Sequence, residues 1–198
     1  MIRREAAEKY ESKVQELLTS LLVLIHIASG QPARRPELLG LRWANTVNSR
    51  RNIYIHDGLV VFILNYHKSE NILGYSRFPV RVLLPTVARL LIIYLAYIRP
   101  FRDWLFTQAT GQYLPFSYIW TKEGRLWTDK ELSTAFEIST QATIGIRLNF
   151  QSWRQIAVGI GLKKLGPLGS TVAKLDELEE DESSSFSLSL QTVPDSFH

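Results

Sequence analysis

Three cationic positions, far apart in the chain, have the types and settings that work on a phosphate requires. Arg34 stands three residues before Glu37 in QPARRPELLGLRW, Gln31–Trp43, where a helical pattern begins. At that spacing the two side chains lie close to one face, and a carboxylate that steadies a guanidinium can hold its planar fork toward a phosphate. The same spacing also describes an ordinary surface ion pair, which contributes little. Lys68 lies in HKSENILG, just after a very apolar segment. Its ammonium can act as a mobile point charge or proton donor, or simply keep a hairpin tip soluble. Arg154, in FQSWRQIAVGI, sits between Trp153 and Ile156 on a segment that otherwise reads as a packed helix. An arginine there needs a partner such as Glu37, or a site that uses its charge.

The elements that must hold these side chains are legible from periodicity. Residues 5–28 predict a helix, with Val14, Leu17, Leu18, Leu21, Leu22 and Ile25 at helical spacing. Ser29-Gly30 ends it and Pro32 stops its continuation. Pro36 suits the first turn of a second helix that runs to about Trp43. NIYIH, Asn52–His56, predicts a strand, Asp57-Gly58 a tight hairpin turn, and Leu59–Tyr66 the returning strand. A loop around Lys68–Tyr75 leads to a third strand near Arg77–Leu83. A long helix over Thr86–Ile98 follows, opened by Pro85 and closed by Pro100. Leu105–Leu114 suggests a strand-like piece and a turn. Thr128–Thr143 predicts a helix with Thr128 and Glu131 at capping-box spacing, and Gln151–Leu165 another despite two glycines. The sum is an α+β domain, mostly helical, with a small three-stranded antiparallel sheet, over residues 1–168. Residues 169–198 form an acidic, serine-rich tail whose low complexity predicts disorder.

Charge sharpens the picture. The net charge of +4 hides an asymmetry: seven of the 19 acids lie from Asp176 onward, where no Lys or Arg occurs. The other 175 residues therefore carry 23 bases against 12 acids, a net +11. A body that basic points to a polyanion, nucleic acid first. Arg50 and Arg51, Arg77 and Arg81, and Lys163 and Lys164 are candidates to line a DNA channel, or ordinary solvated charges. There is no cysteine, so no disulfide framework and no thiolate metal site. The four histidines are scattered and show no zinc spacing, and no G-x-x-x-x-G-K-[ST] occurs. The longest apolar runs, TSLLVLIHIAS and RLLIIYLAYI, fall short of the roughly 20 residues of a membrane span.

Taken together, the landmarks resemble the catalytic domain of tyrosine recombinases. Arg34-Arg35-Pro36-Glu37-Leu38-Leu39-Gly40-Leu41-Arg42-Trp43 is similar to the family's R-x-x-E-L-L-x-L-R-W-type box. Lys68 falls where the family carries a lysine in the turn of a three-stranded meander. Gln151-Ser152-Trp153-Arg154-Gln155 falls where the family has a helix beginning H-x-x-R-H. The order and spacing agree over about residues 10–165. The wording is closest to fungal versions, in crypton-type mobile elements and in regions found with telomere-linked RecQ-like helicases.

The resemblance implies a nuclear, DNA-binding protein of recombination or integration, with duplex DNA as partner and possible self-association. No membrane, metal or small-molecule cofactor is called for. It implies that Arg34 and Arg154 clamp the scissile phosphate, that Lys68 protonates the leaving 5′-oxygen, and that Glu37 supports Arg34. Arg35 and Arg42 join the DNA-binding set with Arg50, Arg51, Arg77, Lys163 and Lys164. The sequence departs from the family at Gln151 and Gln155, which replace histidines. Glutamine donates a hydrogen bond but shuttles no proton. The last tyrosine is Tyr118, whereas the family's nucleophile lies beyond the Arg154 helix. The expectation is therefore a degenerate or truncated domain that binds DNA without cleaving it. Two alternatives stand beside it: part of an active recombinase or helicase-associated protein whose tyrosine lies on a longer chain or a partner, and a non-DNA interaction module.

Overall fold

A computed structural model describes residues 4–64, 80–112 and 116–166. The chain divides into two units, Met1–Phe150 and Gln151–His198. The first is an α+β body, mostly helical, with a small three-stranded antiparallel sheet. Its elements are α1 (Arg4–Ala28), α2 (Arg35–Leu39), β1 (Ile53–His56), β2 (Leu59–Ile63), β3 (Val80–Val82), α3 (Pro85–Ile93), a π-turn (Tyr94–Ile98), α4 (Arg99–Thr110), β4 (Thr121–Lys122), β5 (Arg125–Leu126) and α5 (Asp129–Ile144). A further helix, α6 (Phe150–Leu165), starts on the last residue of the first unit and makes up nearly all of the described part of the second.

The long first helix is the spine. Val14, Leu18, Leu21, Leu22 and Ile25 are all buried, the stripe its spacing predicts, and α1 packs against α3, α4 and α5. Burying each such leucine contributes about 1.5–3 kcal/mol relative to leaving it in water. The sheet is a meander in the order β1-β2-β3. Its hairpin is fixed in register by Asp57 and Gly58, both at positive φ (47° and 75°), the primed turn that matches strand twist. Thr128 caps α5 as its spacing predicts: its hydroxyl accepts the Glu131 amide at 3.2 Å, and Glu131 Oε2 accepts the Thr128 amide at 2.8 Å.

Three local expectations are corrected. The second helix stops at Leu39 instead of running to Trp43, because the chain finds better partners in extended form. The Ile119 amide donates to the Leu41 carbonyl at 3.0 Å and the Trp43 amide to the Ser117 carbonyl at 2.8 Å, with Arg42 bridging Tyr118 between them. Pro100 does not close its helix. It lacks the N–H that would reach back to Ala96, and its ring crowds that carbonyl. The chain responds by widening for one turn, the Arg99 amide donating to the Tyr94 carbonyl five residues back, and then continues as α4. Helix therefore replaces the strand-like piece expected from Leu105, and Gly111 at φ 70° terminates it. A short hairpin, β4–β5, turns through Glu123 and Gly124 and has no counterpart in the sequence reading. Among the described residues no helix is long and apolar enough to cross a membrane.

Candidate functional site

The arginine box is anchored by its leucines. Leu38 and Leu41 are buried, and the Leu38 carbonyl accepts a hydrogen bond of 2.7 Å from the fully buried Trp120 indole. Arg34 is the N-cap residue of α2, in extended conformation. Glu37 reaches back to it through the main chain, its Oε2 accepting the Arg34 amide at 3.0 Å. That is one half of a capping box; a guanidinium has no acceptor and cannot supply the other half. Glu37 thus sets the backbone from which the Arg34 side chain departs.

The neighbouring arginines of the box are engaged within the body. Arg35 Nη1 donates to Asp129 Oδ2 at 2.6 Å and to the Ser133 hydroxyl at 3.2 Å, which ties α2 to α5. Arg42 donates to the Tyr118 hydroxyl and lies 4.5 Å from the centre of that ring. Its amide donates to Asn52 Oδ1 at 2.9 Å. Trp43 donates its indole N–H to the Phe116 carbonyl at 3.0 Å. Arg50 is exposed, and Arg51, also exposed, sits 5.1 Å over the Tyr54 ring.

Most of the buried charge lies elsewhere, on the two arginines that follow the π-turn. Arg102 gives a fork of two bonds to Glu11, each 2.7 Å, donates to Thr121 at 2.9 Å to the hydroxyl and 2.7 Å to the carbonyl, and reaches the Tyr94 hydroxyl at 3.4 Å. Burial, the largest single influence, works against its charge. The Glu11 bonds and the neighbouring Tyr94 outweigh that, so its affinity for the proton is raised. Arg99, with 1% of its side chain exposed, donates 2.7 Å bonds to the carbonyls of Tyr118 and Phe116. Burial holds it below the usual arginine value, opposed by Tyr94 and Asp103. Burial likewise raises the Tyr94 hydroxyl, against the pull of Arg102 and Arg99. Apart from Arg99 Nε, the donors of these forks go to protein acceptors. Their work is to fix the segment 116–121, and that segment in turn holds Leu38, Arg42 and Trp43.

Two clefts flank this network. One, of about 840 Å³, lies between α1, α4 and the β4–β5 hairpin and includes Glu11 and Arg102 in its wall. The other, of about 530 Å³, lies between α4 and the Trp43–Thr46 loop. It is walled by Trp43, Trp104, Phe116 and Asp103, with Arg99 behind. Among the described residues no group of three or more His, Asp or Glu is placed to hold a metal.

Of the residues singled out from sequence, Arg34, Glu37, Arg35, Arg42, Arg50 and Arg51 belong to the first unit and cluster along the chain around α2 and the loop after it. Gln151, Arg154, Lys163 and Lys164 belong to the second, on α6. Gln151 and Arg154 are three residues apart there, and the two lysines are in its last turn, where they complement the helix dipole. Lys68, Arg77 and the acidic tail lie outside the described residues. Sequence reasoning missed Glu11, Arg99, Arg102 and Thr121. An arginine on an apolar helix needs a partner in RPFRDW as much as at Arg154, and that signal points to two of them. No protein-family model matches the sequence, and no solved structure matches it.

Proposed function

We propose that this chain is a tyrosine-recombinase-like domain that binds duplex DNA through its phosphates, acting in the nucleus. What supports the reading is the order of parts. The arginine box opens α2, an antiparallel three-stranded sheet follows with Lys68 in the sequence between β2 and β3, and a later helix carries Gln151 and Arg154. In this reading Arg34 and Arg154 grip one phosphate, Lys68 stands at the leaving oxygen, and Glu37 fixes Arg34 through its backbone amide. Arg50, Arg51, Arg77, Lys163 and Lys164 add sequence-independent contacts. No tyrosine follows Tyr118 in these 198 residues, so they bring no nucleophile to the place where the family uses one.

The test is filter binding of a labelled duplex at about 50 and 200 mM salt, where several phosphate contacts together cost orders of magnitude in affinity. The double variant Arg34→Ala/Arg154→Ala is expected to bind more weakly, with a salt slope shallower by about 2, since each lost phosphate contact removes about 0.9. Unchanged binding by the variant, or wild-type binding indifferent to salt, defeats the reading.

A second reading, an interaction module whose basic charge is spent internally, is favoured by one observation. Arg35, Arg102, Arg125 and Arg147 each hold a carboxylate of the same body at 2.6–2.7 Å. Absence of a salt-dependent DNA complex would select it.

A further inference from the structure

The cleft of about 530 Å³ between α4 and the Trp43–Thr46 loop has the size and lining of a small-ligand site, an apolar aromatic wall with a few convergent polar groups. Trp104 is 50% exposed although it is one of the largest apolar side chains in the body. Its neighbour along the helix is Phe101, itself half-exposed, with ring centres 5.6 Å apart, and an indole surface stays open to a flat partner. Trp43 forms another part of the wall, with the Arg99 guanidinium 5.0 Å from its ring centre.

The charged groups of the lining are an acid and a base side by side. Asp103 keeps 37% of its side chain exposed, and among the described residues its carboxylate accepts no hydrogen bond; Arg99 Nε approaches Oδ2 at 3.4 Å without satisfying either group. A carboxylate in that condition has two oxygens to offer to two parallel N–H donors. A guanidinium from another protein would supply such donors and would stack on indole, but the buried Arg99 charge beside the carboxylate opposes a second cation. A neutral plane carrying two adjacent N–H donors, with an acceptor oxygen next to them, suits both groups. Guanine has that edge: N1–H and N2–H₂ for the carboxylate, and O6 on the side of the buried arginine charge.

We propose that this cleft binds a guanine base, stacked on Trp104 and paired along its donor edge with Asp103. The inference does not depend on the phosphate-binding reading, since a free nucleotide tests it directly. Equilibrium dialysis with labelled GMP and AMP, and with single-stranded oligonucleotides of dG or dA, reads the affinity and the source of the base. Wild-type protein is expected to bind GMP saturably and AMP at least tenfold more weakly, because adenine sets a ring-nitrogen acceptor against the carboxylate. Asp103→Asn, which offers one donor and one acceptor, is expected to reverse the preference toward AMP. Trp104→Ala is expected to weaken GMP about tenfold or more, as loss of a stacking surface does. Thermal melts accompany both variants; should Asp103→Asn fail to fold, Trp104→Ala decides alone. Tighter binding of the dG strand than of GMP identifies nucleic acid as the source, and binding of GMP alone identifies the mononucleotide; either upholds the site. No saturable guanine binding in any form, equal binding of AMP, full GMP affinity in Trp104→Ala, or displacement of GMP by arginine amide overturns it.

Discussion

The Glu11–Arg102 pair joins the first helix to the helix that follows the π-turn, and its removal is the sharpest test of how the body is held together. The side chains are 19% and 6% exposed, and two bonds of 2.7 Å connect them. Taking away one member of a buried pair costs about 3–5 kcal/mol, because the other charge is left without a counterion. Water can reach the Glu11 side, and Thr121 still accepts from Arg102, so the low end applies: about 3 kcal/mol for Glu11→Ala. Glu11→Gln keeps one acceptor and loses the charge, which lowers the cost to about 2 kcal/mol. Arg102→Leu leaves Glu11 without its counterion, although Gln15 Nε2 still donates to Glu11 Oε1 and to the Thr121 carbonyl, at about 3 kcal/mol. The double variant Glu11→Leu/Arg102→Leu strands no charge and is expected to be clearly more stable than the sum of the single losses. Urea unfolding followed by circular dichroism, arranged as a double-mutant cycle with Glu11→Leu, measures the difference. A coupling of about 2 kcal/mol or more is expected from a desolvated pair of this geometry. A coupling under about 0.5 kcal/mol, the range of exposed pairs, would refute the claim that the pair is a structural tie.

Other expected outcomes are more local. Arg125, with Thr128 assisting, holds the Glu131 carboxyl at about 2, down from 4.5. A depressed carboxyl contributes stability above its unfolded value and loses it as the pH falls through the folded one, so wild type should exceed Glu131→Gln by about 1 kcal/mol at neutral pH, given solvent screening. That advantage should fade as the pH drops from 4.5 toward 2; a constant difference in urea melts across the range would count against the pairing. Trp120→Phe removes the donor to the Leu38 carbonyl and part of a fully buried ring, and is expected to cost about 2–4 kcal/mol in the same assay. Gly58→Ala places a Cβ at φ 75° with nothing nearby to clash, so a backbone cost of about 1 kcal/mol is expected in thermal melts.

Local periodicity carried much of what the sequence disclosed. The stripe on α1, the Asp57-Gly58 hairpin and the Thr128–Glu131 capping box each depend on residues a few places apart, and each is present. The Glu11–Arg102 fork spans 91 residues, and no local pattern announces which acid a buried arginine will meet. Pro100 misled for a related reason: a proline forbids one hydrogen bond but does not say whether the chain will stop or widen around it. Arg42 and Trp43 sat in a helical pattern, yet residues 117–119, more than 70 positions away, offered their backbone groups and drew them into extended form. For the proposed phosphate contacts, the periodicity around them places Arg34 at the N-cap of α2 and Arg154 on α6. The acid with a bearing on Arg34 proved to touch its main chain, which spacing alone does not distinguish from a side-chain pair.

The widened turn at Tyr94–Ile98 also makes the protein sensitive to chain length at one spot. The widened turn already holds one residue more than an α-helical turn, and each further residue advances the azimuth by about 100°, so lengthening YLAYI by a single amino acid rotates all of α4 by roughly that angle relative to α3. Arg99 and Arg102 would then sweep away from Phe116, Tyr118 and Glu11 together, while a substitution at Ala96 or Tyr97 would leave them seated. Lineages of this sequence should therefore tolerate varied side chains over Leu95–Tyr97 far more readily than the gain of a codon there.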